Sequence, residues 1–213
     1  MKINKIDALV GGLGLLSFTT LAVFVYPRLP ETIPVHWNFK SEVDGWGPRW
    51  TIHLLSALPL AMYLLLRVVP RIDPRKEAYK KHEKPYAILS AAISLFLLPI
   101  VWISALAAMG LAIDVGILVR ILVGALFIVI GNLLGKFRPN YFVGIRTPWT
   151  LADGEVWRKT HRRGAWVFII MGAIMLLSLS VPHSAIAGGI AIASIIGGVV
   201  YLFLYSYLEF RKR

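Results

Sequence analysis

No cysteine occurs in the 213 residues, which excludes a disulfide framework and any thiolate metal site. Acidic side chains are also scarce: 11 Asp and Glu stand against 23 Lys and Arg, a formal charge of +12. None of the 11 lies deep within an apolar run, so a proton relay or cation pump lacks its usual intramembrane carboxylate. His36, His53, His82, His161 and His183 form no His-x-x-x-His pair that would set two ligands on one helical face. His-Glu-x-x-His, Gly-x-Ser-x-Gly and a Gly-rich phosphate loop are absent as well. The chain is therefore read as holding no metal or cofactor and as not being an enzyme.

What is abundant is apolar chain. Hydrophobic residues make up 57% and the mean hydropathy is +0.69, too greasy for a soluble domain to cover itself. Six segments reach the roughly 20 helical residues that span a bilayer core: 6–26, 52–69, 86–111, 115–134, 165–181 and 184–207. The first is too long for the apolar part of a signal peptide and no small-x-small cleavage site follows it, so it is read as an uncleaved span.

Of the 23 basic residues, 19 fall beside one set of span ends: Lys2 and Lys5, the connector "RVVPRIDPRKEAYKKHEK", the run from Lys136 to Arg163, and the C-terminal Arg-Lys-Arg. The positive-inside rule then puts both termini in the cytoplasm. Anchoring to anionic lipid absorbs the charge, and no soluble segment is long enough for direct nucleic-acid binding. The fold class is an all-α integral membrane protein, a six-helix transmembrane bundle. An ordered extracellular loop lies between spans 1 and 2, and a structured cytoplasmic cap between spans 4 and 5. The chain divides into a two-span module over residues 1–70, a basic connector over 71–85 and a four-span module over 86–207. Short connections imply that spans 3 and 4, and spans 5 and 6, are adjacent hairpins. Gly131 with Gly135, and Gly189, Ala193 and Gly197, are expected to let helices approach closely, and Pro59 and Pro99 to kink theirs.

Two polar residues lie within spans. Arg120 either marks a substrate path or snorkels outward toward headgroups or Asp114, and Asn132 either lines that path or bonds a neighbouring helix.

The outer loop, "YPRLPETIPVHWNFKSEVDGWGPRWTIH", reads as an extended proline-rich half and a short strand in which Val35, Trp37 and Phe39 alternate with polar residues. "DGWGP" then reads as a tight turn. On the other side, Pro139 stops span 4, and Thr150 with Asp153 looks like a capping box opening a helix that pairs Glu155 with Lys159 and aligns Trp157, His161 and Phe168. Arg146, set between Ile145 and Thr147-Pro148-Trp149, either makes a specific planar-fork contact or binds helix ends and lipid phosphate.

The segment "GNLLGKFRPNYFVGIRTPWTLADGEVWRKTHRRG" resembles the signature of the immunity protein family for the sporulation-delaying-protein toxin, with its Asn-x-x-x-Gly-Ile-Arg-Thr-Pro-Trp-Thr stretch and Trp-x-x-Thr-His helix. "LPETIPVHWNFKSEVDGWG" is similar to the N-terminal module of uncharacterised function that often precedes it. The resemblance implies a multi-pass cell-membrane protein that protects its cell from a secreted, membrane-active toxin peptide. It also implies signalling, by holding a cytoplasmic transcriptional repressor at the membrane. Onto this chain it carries Asn132, Asn140, Gly144, Arg146, Thr147, Pro148, Trp149, Trp157, Thr160 and His161 as the functional cap. His36, Trp37, Asn38, Asp44 and Trp46 are the outer-loop candidates, and membrane lipids are further partners. The residues leave a small transporter or lipid-handling protein as the alternative, using a cavity near Pro59, Pro99, Asn132 and Arg120.

Overall fold

A computed structural model describes residues 5–38, 40–181 and 184–213. Phe39 of the expected strand, Pro182 and His183 of the last connection, and Lys2 lie outside them. The chain runs α1 (Lys5–Thr19), which continues through a π-helical stretch Thr20–Val25, then β1 (Thr32–Trp37), β2 (Val43–Pro48), α2 (Thr51–Ile72), α3 (Glu77–Lys81), α4 (Glu83–Ala108), α5 (Val115–Leu134), α6 (Pro148–Ala152), α7 (Gly154–Leu177) and α8 (Ser184–Arg211). Among the described residues six helical stretches are long and apolar enough to cross a membrane, and they match the six expected spans. The chain is a multi-pass membrane protein of the cell membrane.

Sequence explains where these helices start. Asp114 caps α5 by accepting from the Ile117 amide at 2.9 Å, and Asp153 caps α7 by accepting from Glu155 and Val156 at 2.7 and 2.9 Å. Pro59 and Pro99 sit inside α2 and α4, and neither ends its helix. The bundle is built by α1 on α2 and α4, α2 on α4, α4 on α5, α5 on α7, and α7 on α8. Both expected hairpin pairs are therefore in contact.

The close crossing is α5 on α7, and of the expected glycines only Gly131 serves it, joined by Gly124 and Gly172. A Cβ on Gly172 would lie 2.5 Å from the Gly124 carbonyl oxygen, and one on Gly131 would lie 2.7 Å from that of Ala165. Gly131 thus pairs along its helix with Gly124, seven residues away, whereas Gly135, Gly189 and Gly197 meet nothing within 4 Å. Two helical turns, not one, separate successive positions facing the same neighbour at this crossing.

The outer loop is a β-hairpin, which corrects the expected single strand and tight turn. β2 contains Asp44 to Pro48 and pairs antiparallel with β1, with register shifts around His36. Gly45 is needed in the strand, where a Cβ would come 2.8 Å from that of His36. The reversal falls at Asn38, whose Oδ1 accepts from the Lys40 and Glu42 amides at 2.8 and 3.1 Å, with Ser41 at φ 65°. Ile33 and Leu29 dock the hairpin into a buried cluster with Leu21, Val25, Ile52, Val101 and Ala105. A second cluster, Val69, Tyr79, Tyr86, Leu89, Leu133, Phe137 and Trp157, fills the opposite end of the bundle beneath the cap.

Candidate functional site

The cap is made from two connectors folded into each other. Asn140 is its centre and is fully buried. Its amide nitrogen donates to the carbonyls of Arg138 and Val143 at 2.9 and 3.0 Å, and its Oδ1 accepts from the amides of Phe142 and Val143 at 3.0 and 2.7 Å. One side chain thus supplies the hydrogen bonds that an irregular backbone cannot make for itself. Asp73, at the end of α2, meets the same loop: its Oδ2 accepts from the Tyr141 amide and the Tyr79 hydroxyl, both at 3.0 Å. Its Oδ1 accepts from the Arg75 amide at 2.7 Å, so this buried carboxyl is hydrogen-bonded on both oxygens.

Burial, and then the hydrogen bond to Asp73, raise the Tyr79 hydroxyl above its ordinary range and keep it a donor. His82 is buried against Phe137 and accepts the Arg138 amide on Nδ1 at 3.2 Å, which places its proton on Nε2. Burial first, and the charge of Arg138 second, push its pKa down to about 4. Arg75 completes the junction, stacked 4.7 Å from the Tyr141 ring centre and donating to the Leu151 carbonyl at 3.3 Å.

From Gly144 onward the loop is fixed to α7 and α8. His161 Nε2 accepts from the Ile145 amide at 3.0 Å while Nδ1 donates to the Trp157 carbonyl at 2.9 Å, so the ring is a neutral bridge between loop and helix. Gly144 has φ +113°, and a Cβ there would strike His161 Nε2. Both constraints demand glycine. Trp157 stacks on His161 at 3.9 Å and donates from its indole to the Phe137 carbonyl at 2.9 Å. Thr147 caps α6, with Pro148 at the first helical position, in a reciprocal capping box with Thr150. Thr147 Oγ1 also donates to Ser206 of α8 at 3.0 Å, and Trp149 packs edge-on against Phe203 and near Tyr207 of that helix.

Several expectations change. The capping box belongs to Thr147 and Thr150, and Asp153 caps the separate helix α7, because the extended Asp153 breaks the run between α6 and α7. Glu155 pairs with Arg158 instead of Lys159, and Lys159 reaches Glu209 of α8 at 2.9 Å. Phe168 packs edge-on with Phe127, away from Trp157 and His161. Asn132 is exposed and donates to the Ile128 carbonyl of its own helix at 2.8 Å, and among the described residues it bonds neither the cap nor a neighbouring helix. Thr160 is buried, with no partner for its hydroxyl among the described residues. Arg146 is exposed and donates to the Tyr141 carbonyl at 2.7 Å, closing the 141–146 loop on itself. Arg120 does not pair with Asp114: it is buried and donates to the carbonyls of Gly116 and Ser178, both at 3.0 Å.

Among the outer candidates, His36 and Asp44 pair across the hairpin at 2.5 Å, and Asn38 forms the turn. Trp46 is 63% exposed and Trp37 half-buried. Among the described residues no group of three metal-ligating side chains converges.

Asp73, Arg75, Tyr79, His82 and Ser206 were not singled out from the sequence. The usable signal was Asp73 directly after a span, an acidic residue at a helix C-terminus, where the helix dipole favours basic ones.

Comparison with known proteins adds to this geometry. Residues 136–206 match the SdpI/YfhL protein family, and residues 13–60 match a domain of unknown function, DUF1648. The immunity protein SdpI of Bacillus subtilis (strain 168) is 29% identical over 161 residues, covering 75% of this chain and 74% of its own length. No solved structure matches. The resemblance read from the motifs therefore holds at both ends of the chain.

Proposed function

We propose that this chain, similar along most of its length to an immunity protein, is itself a membrane immunity protein against a secreted, membrane-active peptide. The likeness to that relative carries the reading. The geometry supports it, because an aromatic hairpin tops one end of the bundle and a tightly bonded cap closes the other.

The arrangement is a receptor's: the hairpin lies outside, both termini and the cap inside, with the modules 1–70 and 86–207 joined by the connector 71–85. The peptide meets Trp46 and the His36–Asp44 pair, and the helices pass the bound state to the cap. There Arg146, the exposed residue of the Arg-Thr-Pro-Trp segment, is the contact offered to a cytoplasmic repressor held at the membrane. The chain contacts no nucleic acid itself.

Expression in a toxin-sensitive host tests this: survival rises if the reading holds, and unchanged killing at normal membrane levels removes it. The transporter alternative needed a cavity joining Pro59, Pro99, Asn132 and Arg120. Asn132 is bonded to its own helix on an exposed face and Arg120 is tied to two carbonyls, so the immunity reading is preferred.

A further inference from the structure

At the hairpin end, a cavity of about 300 Å³ opens between α5 and α8. Val119 and Val123 of α5, Met175 of α7 and Ile195 of α8 give it apolar walls, Gly188 and Ala191 make the room, and Trp37 and Ser41 of the hairpin close its top. Arg120 lines it too. That guanidinium is buried, yet among the described residues it has no carboxylate partner: Nε and Nη1 donate to backbone carbonyls and Nη2 donates to nothing. A buried cation in an apolar wall is costly without a counter-charge. Its bond to Gly116, one turn toward the helix start, turns it toward the end of the span where lipid phosphates lie.

We propose that this cavity holds the headgroup-proximal part of one acyl chain of a phospholipid whose phosphate sits at Arg120 Nη2. The dimensions select the occupant. The lining runs from Val115 to Val123 on α5 and from Gly188 to Ile195 on α8, about 10–12 Å of helix at about 1.5 Å per residue. A volume of about 300 Å³ over that length leaves a cross-section of about 30 Å², which takes an extended hydrocarbon chain but not a peptide helix about 10–12 Å across. The lipid fills the gap between α5 and α8 and neutralises Arg120. It is a fixed part of the bundle's hairpin end and does not rest on the immunity reading.

The full chain, purified, stripped with detergent and returned to phosphatidylglycerol nanodiscs, tests this by native mass spectrometry. One phospholipid should stay bound at collision energies that remove the surrounding lipid. Arg120→Gln should lower the retained fraction about fivefold, the scale of one basic contact with an anionic lipid. Val119→Phe, which narrows the cavity and spares the charge, should lower it as much with an unchanged melting temperature, so that misfolding of the first variant does not decide the result. Equal retention in wild type and both variants would overturn the site. Detergent bound equally in wild type and Arg120→Gln, with no lipid, would overturn it also.

Discussion

Replacing Asn140 with Ala strands two backbone amides and two carbonyls that its side chain serves. At about 1–3 kcal/mol for each buried group left unsatisfied and partial relaxation of the loop, a net loss of about 3 kcal/mol is expected, read as a lower melting temperature in detergent. Asn140→Asp should also destabilise, since the two donors are lost while the acceptor remains. His82 makes the cap sensitive to acid. Its folded pKa of about 4 lies below the ordinary 6.5, so the unfolded chain binds the proton first as pH falls. The stabilisation is whole above pH 6.5, declines between about 6.5 and 4, and amounts to about 3 kcal/mol at most. A melting temperature that falls over that window in wild type, and falls less in His82→Gln, is the expected pattern. Of these two residues only Asn140 was visible in the sequence, through its motif. His82 sits in a lysine-rich stretch that reads as solvated, and only the fold shows that Phe137 and Arg138 close over it.

Helix positions were legible at the level of elements because hydropathy and length decide them, and the six spans differ from expectation mainly at their ends. Crossings were less legible. A glycine marks a close approach only if it faces a neighbour, and sequence gives the helical face but not what stands opposite. Gly124, Gly131 and Gly172 face another helix, and Gly189 and Gly197 do not. Gly172→Leu should therefore separate α5 from α7 and destabilise by several kcal/mol, on the scale of overpacking added to lost helix contact. Gly189→Leu should leave the stability within about 0.5 kcal/mol of wild type, as at other open positions, and so barely move the melting temperature. The hairpin shows the converse. The glycines of "DGWGP" suit a turn, but they serve a strand in which His36 and Val35 crowd the backbone.

For the whole molecule, the absence of cysteine makes topology directly measurable, because single cysteines can be introduced without background. Ser41→Cys should label with a membrane-impermeant reagent in intact cells, and Lys80→Cys only after permeabilisation. The reverse pattern would invert the bundle. The motifs exposed the cap as special because its residues are irregular in type, but its second half, Asp73 to His82, came from a connector whose basic charge masked its buried polar groups. The cap locks two connectors to each other and to α7 and α8, so that end of the bundle is held as one unit.

Survival of a toxin-sensitive host carrying this chain, challenged with the secreted toxin at matched membrane expression, tests the central claim most directly. The account predicts protection by wild type, loss of protection in Asn140→Ala, and retained membrane levels but weakened toxin-dependent repressor capture in Arg146→Ala. Killing that is the same with and without the wild-type chain would contradict it.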